Sequence, residues 1–341
     1  MSTKPKPSIN DVASRAGVST ATVSRALNEP RKVKPATLES VRNAVELLGY
    51  TPHFGGRALA SNKSNTIGAL IPTMENAIFA RGLQALQETL AEAGVTLLIA
   101  TTGYDPERER QQIQTLLGRG VDGVLLIGLS RPEKTYALLD RHDVPVVIAW
   151  SYKTNSDHLC VGFDNRAAAS AMANCVLDHG HERIAMIAGV SKGNDRAAER
   201  IKGVRLALRR QGRKLPPDHL IESPYTLEDA AAAMAELLAL PQRPTAVICG
   251  NDVLAAGAIM QAKRTGLAVP HDLSVVGFDN IDLASVTAPP LTTIHVPHRR
   301  MGQTAAELLL AIGEGADDLS SVKFDPEIVI RESLSKPPRN E

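Results

Sequence analysis

The sequence predicts an α/β fold in which a small helical module precedes two doubly wound parallel sheets. Three observations carry this expectation. A helix, a glycine turn and a second helix read over residues 9–28; from Thr66 onward, continuous apolar runs alternate with amphipathic segments; and that alternation starts a second round after residue 166.

The first helix is expected to start after Ser8, whose hydroxyl can cap it while Asp11 supplies the acidic half of a capping pair. Val12, Ala13 and Ala16 give it a small apolar face. Gly17 breaks the helix, Val18 fills the corner, and Ser19 is placed to cap a second helix running to about Leu27. With Val23, Ala26 and Leu27 turned inward, Thr20, Ala21, Thr22, Ser24, Arg25 and Asn28 are left outward. Short polar side chains with one Arg at a helix start suit a major groove, because they approach base edges and phosphates closely. Taken alone, the same pattern describes a helical hairpin with a solvated face. Lys34-Pro35 followed by Leu38, Val41, Val45 and Leu48, and stopped by Gly49, adds a third helix that can cover the other two. Tyr50-Thr-Pro52 and Arg57-Ala-Leu59-Ala60 come next.

The net charge of +1 hides an asymmetry. Residues 1–63 hold ten cations against four carboxylates, +6, so the remainder carries −5. A basic arm on an acidic body fits a phosphate-binding module joined to a domain for a neutral ligand. At 341 residues and 43% hydrophobic content, the chain is long enough for such a module plus one or two full domains. No apolar run approaches the ~20 residues of a membrane span and the N-terminus has no apolar secretion segment, so a cytoplasmic protein is expected. Cys160, Cys175 and Cys249 match no metal spacing and read as reduced structural thiols. The histidines show no metal spacing either, and solvated or capping roles are the expectation for them. No cofactor is expected.

Strands are expected at Ile67–Ile71, Val95–Ala100, 121–127 and 144–150, with helices at Phe79–Ala93, 106–118 and 132–141 between them. The second round has helices at 166–179, 195–211, 227–239 and 252–265, and strands at Arg183–Ala188, 219–223, Thr245–Cys249 and Leu273–Phe278. Val-Gly-Phe-Asp-Asn occurs at 161–165 and again at 276–280. Both copies put an Asp and an Asn just beyond an apolar strand, where open α/β sheets bind ligands.

The headpiece residues resemble the LacI/GalR family of bacterial transcription regulators. The resemblance rests on Asp11-Val12-Ala13, Ala16-Gly-Val-Ser19, Thr22-Val-Ser-Arg25, Leu48-Gly-Tyr50-x-Pro52 and Arg57-Ala-Leu59-Ala60. From about residue 65 to 335 it extends to the family's periplasmic-binding-protein-like core, through Val121-Asp-Gly-Val-Leu, His179-Gly-His-x-Arg-Ile184, Arg200-x-x-Gly203, Arg243-Pro-Thr-Ala-Val, Asn251-Asp252, the run Val269 to Asp279, Pro290-Leu-Thr-Thr-Ile294 and Met301-Gly302. It implies a headpiece at 1–51, a hinge at 52–64 and a two-lobed effector-binding and dimerisation core at 65–341. The first lobe would take about 65–162 and 293–322, the second about 163–292 and 323–335, the chain crossing between lobes three times.

What the family does is then expected here: a homodimeric, allosteric repressor of a pseudo-palindromic operator, governed by a small effector that is sugar-like. Ser8, Ser19, Thr20, Ala21, Thr22, Ser24, Arg25, Asn28, Lys32, Lys34, Thr37 and Tyr50 would face DNA, with Leu59 wedged into the minor groove and Ala60 beside it. Two departures stand out. Gly55 and Gly56 replace helix-compatible residues, each costing about 1 kcal/mol inside a helix, so the hinge helix is expected to form only on DNA. Lys34 stands where a Ser or Thr cap is common.

By the same resemblance, the effector cleft would be lined by Phe79, Trp150, Asp164, Arg196, Arg200, Tyr225, Asn251 and Asp279. Carboxylates accept from hydroxyls, Arg and Asn donate, and aromatic faces cover a sugar ring. Plainer roles compete: Phe79, Trp150 and Tyr225 as core aromatics, Asp164 and Asp252 as helix caps, Arg196 as a loop residue paired with Asp195 in solvent. A sugar-metabolising α/β enzyme is the alternative reading, but the chain has no Gly-x-Gly-x-x-Gly after a strand, no phosphate loop and no Gly-x-Ser-x-Gly elbow. A transporter's solute-binding protein would need an export signal and no basic headpiece.

Overall fold

A computed structural model describes residues 6–51, 63–75 and 77–338. The chain divides into two compact units between Ser64 and Asn65. In the first, α1 (Ile9–Ala16) and α2 (Thr20–Asn28) are joined at Gly17, and a single 3-10 turn (Pro30–Lys32) leads to α3 (Pro35–Leu48). Gly17 takes φ +69° and Gly49 φ +62°, the left-handed conformation that lets each helix end turn back on itself. Val12, Ala13, Val23, Ala26, Val41, Ala44 and Tyr50 form a core of their own, and the Ser40 hydroxyl ties α3 to the last turn of α1 by donating to the Ala16 carbonyl at 3.2 Å.

The second unit contains two parallel sheets. One runs in the order β11-β5-β4-β3-β1-β2, from β1 (Thr66–Ile71), β2 (Thr96–Thr101), β3 (Gly123–Ile127), β4 (Val146–Ala149), β5 (Leu159–Gly162) and β11 (Val322–Lys323). Its helices are α4 (Ala77–Glu92), α5 (Pro106–Gly118) and α6 (Glu133–Arg141). The other runs β7-β6-β8-β9, from β6 (Ile184–Gly189), β7 (Leu220–Ser223), β8 (Ala246–Cys249) and β9 (Ser274–Val276). Its helices are α7 (Asn165–Asp178), α8 (Asp195–Arg210), α9 (Leu227–Leu238), α10 (Asp252–Arg264) and the short α11 (Leu283–Val286). Inner strands such as β1, β3, β6 and β8 are buried at every residue, the consequence of helices on both faces.

Between the lobes run β10 (Thr293–His295) and β12 (Glu327–Val329), an antiparallel pair. After β10, α12 (His298–Gly313) packs against α4 and the first sheet, and β11 adds an edge strand beside β5. The chain then returns to the second lobe, where Ser333 accepts from the Val275 amide at 2.9 Å. The helix contact is close: a Cβ on Gly302 in α12 would overlap the carbonyl oxygen of Gly82 in α4. One apolar cluster spans both lobes, from Ile67, Phe79 and Trp150 to Ile184, Ile201 and Phe278.

Element types follow the sequence reading, with ends shifted by a residue or two. Four strands and one long helix were not in that reading: β5, β10, β11 and β12 have only two to four residues each, too few for a periodic signal, and α12 (His298–Gly313) was passed over.

Candidate functional site

On the headpiece, the Ser8 hydroxyl accepts from the Asp11 amide at 3.4 Å and the Asp11 carboxylate accepts from the Ser8 amide at 2.8 Å, a complete capping box. The two hydrogen bonds from Ser8 hold the Asp11 carboxyl below its ordinary range. Ser19 caps α2 by accepting from the Thr22 amide at 3.1 Å, and its hydroxyl also lies 2.9 Å from that of Thr22. Ser19, Thr20, Ala21, Arg25, Lys32 and Lys34 are exposed, whereas Ser8, Thr22, Ser24 and Thr37 are half-buried. Lys32 pairs with Glu29 at 2.8 Å on the surface. Lys34 precedes α3 without a capping hydrogen bond. Tyr50 is 8% exposed and packs in the headpiece core. Leu59 and Ala60 lie outside the described residues, as does the Asn28 side chain.

In the second unit, polar side chains gather at the carboxyl ends of both sheets. Arg200 is the centre. Its Nε donates to Asn165 Oδ1 at 2.9 Å and its Nη1 to the Gly250 carbonyl at 2.6 Å, while the guanidinium carbon stands 3.6 Å from the centroid of the Phe278 ring. Nη2 approaches Asp279 Oδ1 at 3.5 Å, an ion pair without hydrogen-bond geometry.

Asp279 sits beyond β9 at φ +103°, 1% exposed, and neither carboxyl oxygen has a hydrogen-bond partner. Burial raises its pKa against the opposing pull of Arg200 and Arg196. Asn251 caps α10, its Oδ1 accepting from the Leu254 amide at 2.8 Å, and its Nδ2 is buried with no partner. Asp252 is therefore not the cap. Its Oδ1 accepts from the Thr293 hydroxyl at 2.5 Å and its Oδ2 from the Ile281 amide at 2.8 Å, joining α10, the Asp279 turn and β10. Burial, then the nearby Asp279 charge, pushes the Asp252 carboxyl up to about 7.

Phe79 and Trp150 are each 1% exposed and meet edge to face at 5.7 Å, which places both in the core. Trp150 Nε1 donates to His298 Nδ1 at 2.9 Å. Indole is only a donor, which places the imidazole proton on Nε2. That Nε2 has no partner and stands 4.0 Å from Asp279 Oδ1. Burial first, then Arg200, pushes the His298 pKa down to about 3, so the ring is neutral.

Arg196 is not in solvent: it lies in the first turn of α8, 7% exposed, with Nη1 on Asp195 Oδ1 at 3.0 Å. Tyr225 accepts from Asn194 Nδ2 at 3.1 Å and covers Gly189, where a Cβ would overlap its hydroxyl. Tyr104, from the other lobe, brings its ring to 6.3 Å from that of Tyr225. Asp164 stands apart, exposed and capping α7 by accepting from the Ala167 amide at 2.9 Å.

Sequence reasoning missed His298, Tyr104 and the bridging role of Asp252. Tyr104 alone left a signal, a Gly-Tyr-Asp loop directly after a predicted strand. Among the described residues there is no group of three or more metal-ligating side chains, and no helix is long and apolar enough to cross a membrane.

Asp279 thus carries buried acceptors, and Asn251 and His298 buried donors, without hydrogen-bond partners among the described residues. Comparison with known proteins gives these groups their setting. Residues 8–53 match the bacterial regulatory proteins of the lacI family, and residues 173–334 a periplasmic binding protein-like domain. The HTH-type transcriptional repressor CytR of Escherichia coli K12 is 39% identical over 326 residues, 95% of each chain. The lac repressor dimer bound to operator and the anti-inducer ONPF superposes with a TM-score of 0.83 at 26% identity, covering 97% of this chain and 100% of that one. The transcriptional regulator CelR in complex with cellobiose superposes with a TM-score of 0.70 at 29% identity, covering 96% and 99%. The chain belongs to the bacterial lacI family and is a DNA-binding transcriptional repressor with a ligand-binding core, not an enzyme.

Proposed function

We propose that the interlobe cleft takes a neutral polyhydroxylated molecule, a sugar or sugar derivative, and that its binding sets the affinity of a dimer for a pseudo-palindromic operator on the nucleoid, in the cytoplasm. The supporting observation is Asp279, a buried carboxylate whose two oxygens lack hydrogen-bond partners while Arg200 stands beside it at 3.5 Å. A vicinal diol would donate to both oxygens and accept from Arg200, Asn251 Nδ2 and His298 Nε2–H. Tyr104 and Tyr225 would flank the apolar face of the ring, and Arg196 would contact its rim. The CelR complex with cellobiose shows that a relative of this architecture binds a sugar. On the headpiece, Thr20, Ala21, Ser24 and Arg25 would enter the major groove, with Ser8, Ser19, Thr22, Lys32, Lys34 and Thr37 on phosphates and Leu59 at the dimer axis.

The test is a thermal-shift panel of sugars, sugar acids and nucleobases on the full chain. A ligand at 100 times its Kd adds about 2.7 kcal/mol to stability. A neutral sugar should raise the melting temperature of the wild type but not of Asp279→Asn. Response to anionic or apolar compounds alone would refute the polyol reading.

A further inference from the structure

Asp195 begins α8 in the second lobe and carries a carboxylate that reaches into the first. Its Oδ2 accepts from the Leu129 amide at 2.7 Å and from the Ser151 hydroxyl at 3.1 Å, two donors that follow β3 and β4 of the other sheet. Its Oδ1 holds Arg196 Nη1 at 3.0 Å. One side chain thus spans the cleft and fixes a guanidinium inside it.

The facing backbone is cut to fit this contact. Gly128, at φ +78°, is the residue against which Asp195 and Arg196 dock, and a Cβ there would overlap both Arg196 Nη1 and Asp195 Oδ1. Across the same seam, a Cβ on Gly193 would stand 2.6 Å from the Tyr104 carbonyl oxygen. Each lobe therefore presents a glycine where a side chain would collide with the other. A second link between the lobes, Arg81 with Asp282, has side chains 42% and 91% exposed and is weak for that reason. The bond from Asn165 Nδ2 to the Trp150 carbonyl at 3.0 Å follows the first chain crossover, close to the pivot, where opening moves atoms least.

We propose that Asp195 is the positioning residue that holds the two lobes closed and sets Arg196 in the cleft. Opening the cleft breaks both of its bonds to the first lobe and withdraws Arg196 from Gly128 in the same motion. A ligand enters only after that step, so the strength of this one contact sets how much of the ligand-free protein is ready to bind. The proposal deepens the reading of the cleft as the effector site, but its test contains no effector and can fail without touching that reading.

Trp150 is the only tryptophan in the chain and is 1% exposed; it directly precedes Ser151, which bonds Asp195, and its own carbonyl accepts from Asn165 of the second lobe. Acrylamide quenching of its fluorescence in the ligand-free full-length protein therefore reports opening. Asp195→Ala should raise the quenching constant at least twofold with unchanged far-UV circular dichroism, and Ser151→Ala should raise it by less. Gly128→Ala, which leaves the carboxylate intact but blocks its seat, should reproduce the Asp195→Ala value. The Asp195→Ala/Gly128→Ala double variant should go no higher than Gly128→Ala alone, which already displaces both Asp195 and Arg196, because a contact can be lost only once. Quenching at the wild-type level in Asp195→Ala, or effects that add in the double variant, would overturn the proposal. If Asp195→Ala does not fold, Gly128→Ala and Ser151→Ala decide the matter: opening in both supports it, and wild-type quenching in both overturns it.

Discussion

Trp150 donates its indole N–H to Nδ1 of His298 at 2.9 Å, and this one bond fixes the tautomer whose Nε2–H stands 4.0 Å from Asp279. The ring stays neutral, and its remaining proton, on Nε2, is the one the proposed function assigns to a ligand. His298→Phe keeps a flat ring of similar size but removes both functions. The stranded Trp150 N–H should cost about 1–3 kcal/mol of stability, and loss of the Nε2–H donor should weaken ligand binding by roughly 3–10-fold. Urea unfolding measures the first effect, and calorimetric titration with the ligand found by thermal shift measures the second.

The same neighbourhood gives stability a dependence on pH with two opposing parts. His298 is neutral in the fold down to about pH 3, while the unfolded imidazole binds a proton near 6.5; the unfolded state then holds more protons, and stability falls as pH drops from about 6.5 toward 3. Asp252 keeps its proton in the fold up to about pH 7, whereas the unfolded carboxyl loses it near 3.8; its contribution falls as pH rises from about 4 to 7. Comparing wild type with Asp252→Asn isolates the second part. The stability difference, wild type minus variant, should decline by up to about 1.4 kcal/mol per pH unit across that window and level off above pH 7. Urea titrations at each pH provide the measurement, and a flat difference would show that Asp252 is ionised throughout.

Arg25 is exposed on α2 and carries charge at the expected groove-reading face. Arg25→Ala should abolish specific operator binding while changing stability by no more than ~0.5 kcal/mol. A gel-shift assay on an operator selected from random duplexes, paired with thermal unfolding, separates the two.

Much of this molecule was legible because its signals are local. Ser8 with Asp11, and Ser19 three residues before Thr22, announce two helix starts, and Gly17 and Gly49 announce two ends; the structure shows all four working through contacts within five residues. The strand ends that carry Asn251 and Asp279 were legible for a similar reason, since apolar runs followed by Asp or Asn mark the ligand side of an α/β sheet. The chemistry of the cleft was not. His298 acquires its tautomer from Trp150, which is 148 residues away, and Asp252 acquires its role from Thr293, 41 residues on. Arg196 read as a loop residue because nothing near it in sequence reveals that Gly128 leaves room for it. Asp164 illustrates the reverse case, a plausible ligand residue by position whose carboxylate instead caps its own helix.

Gly55 and Gly56 give a further expectation, drawn from sequence alone. If the segment becomes a helix on the operator, as the resemblance implies, they set roughly 2 kcal/mol against it. Replacing both by Ala should raise operator affinity, by up to about thirtyfold if the whole difference is realised, and should reduce the folding enthalpy measured on binding. Equal affinity in calorimetric titrations of the two proteins would show that this segment does not become helical on DNA.

Gly302 provides the most direct check on how the first lobe is packed. In the middle of an α-helix, Gly to Ala ordinarily stabilises by up to about 1 kcal/mol. At Gly302 the sign should reverse, because the added methyl would overlap the backbone carbonyl of Gly82, and a backbone atom in a neighbouring helix cannot rotate aside. Overpacking of this kind costs about 1–3 kcal/mol, and α12 must move to relieve it. His298 is the first residue of that helix, so the displacement should also disturb its bond to Trp150 and shift the emission of the only tryptophan. Gly313, the last residue of the same helix, has open space where its Cβ would be, and Gly313→Ala should be neutral or slightly stabilising with unchanged emission. If Gly302→Ala proves as stable as wild type in urea, α12 and α4 are not so close, and the placement of His298 against Trp150 falls with them.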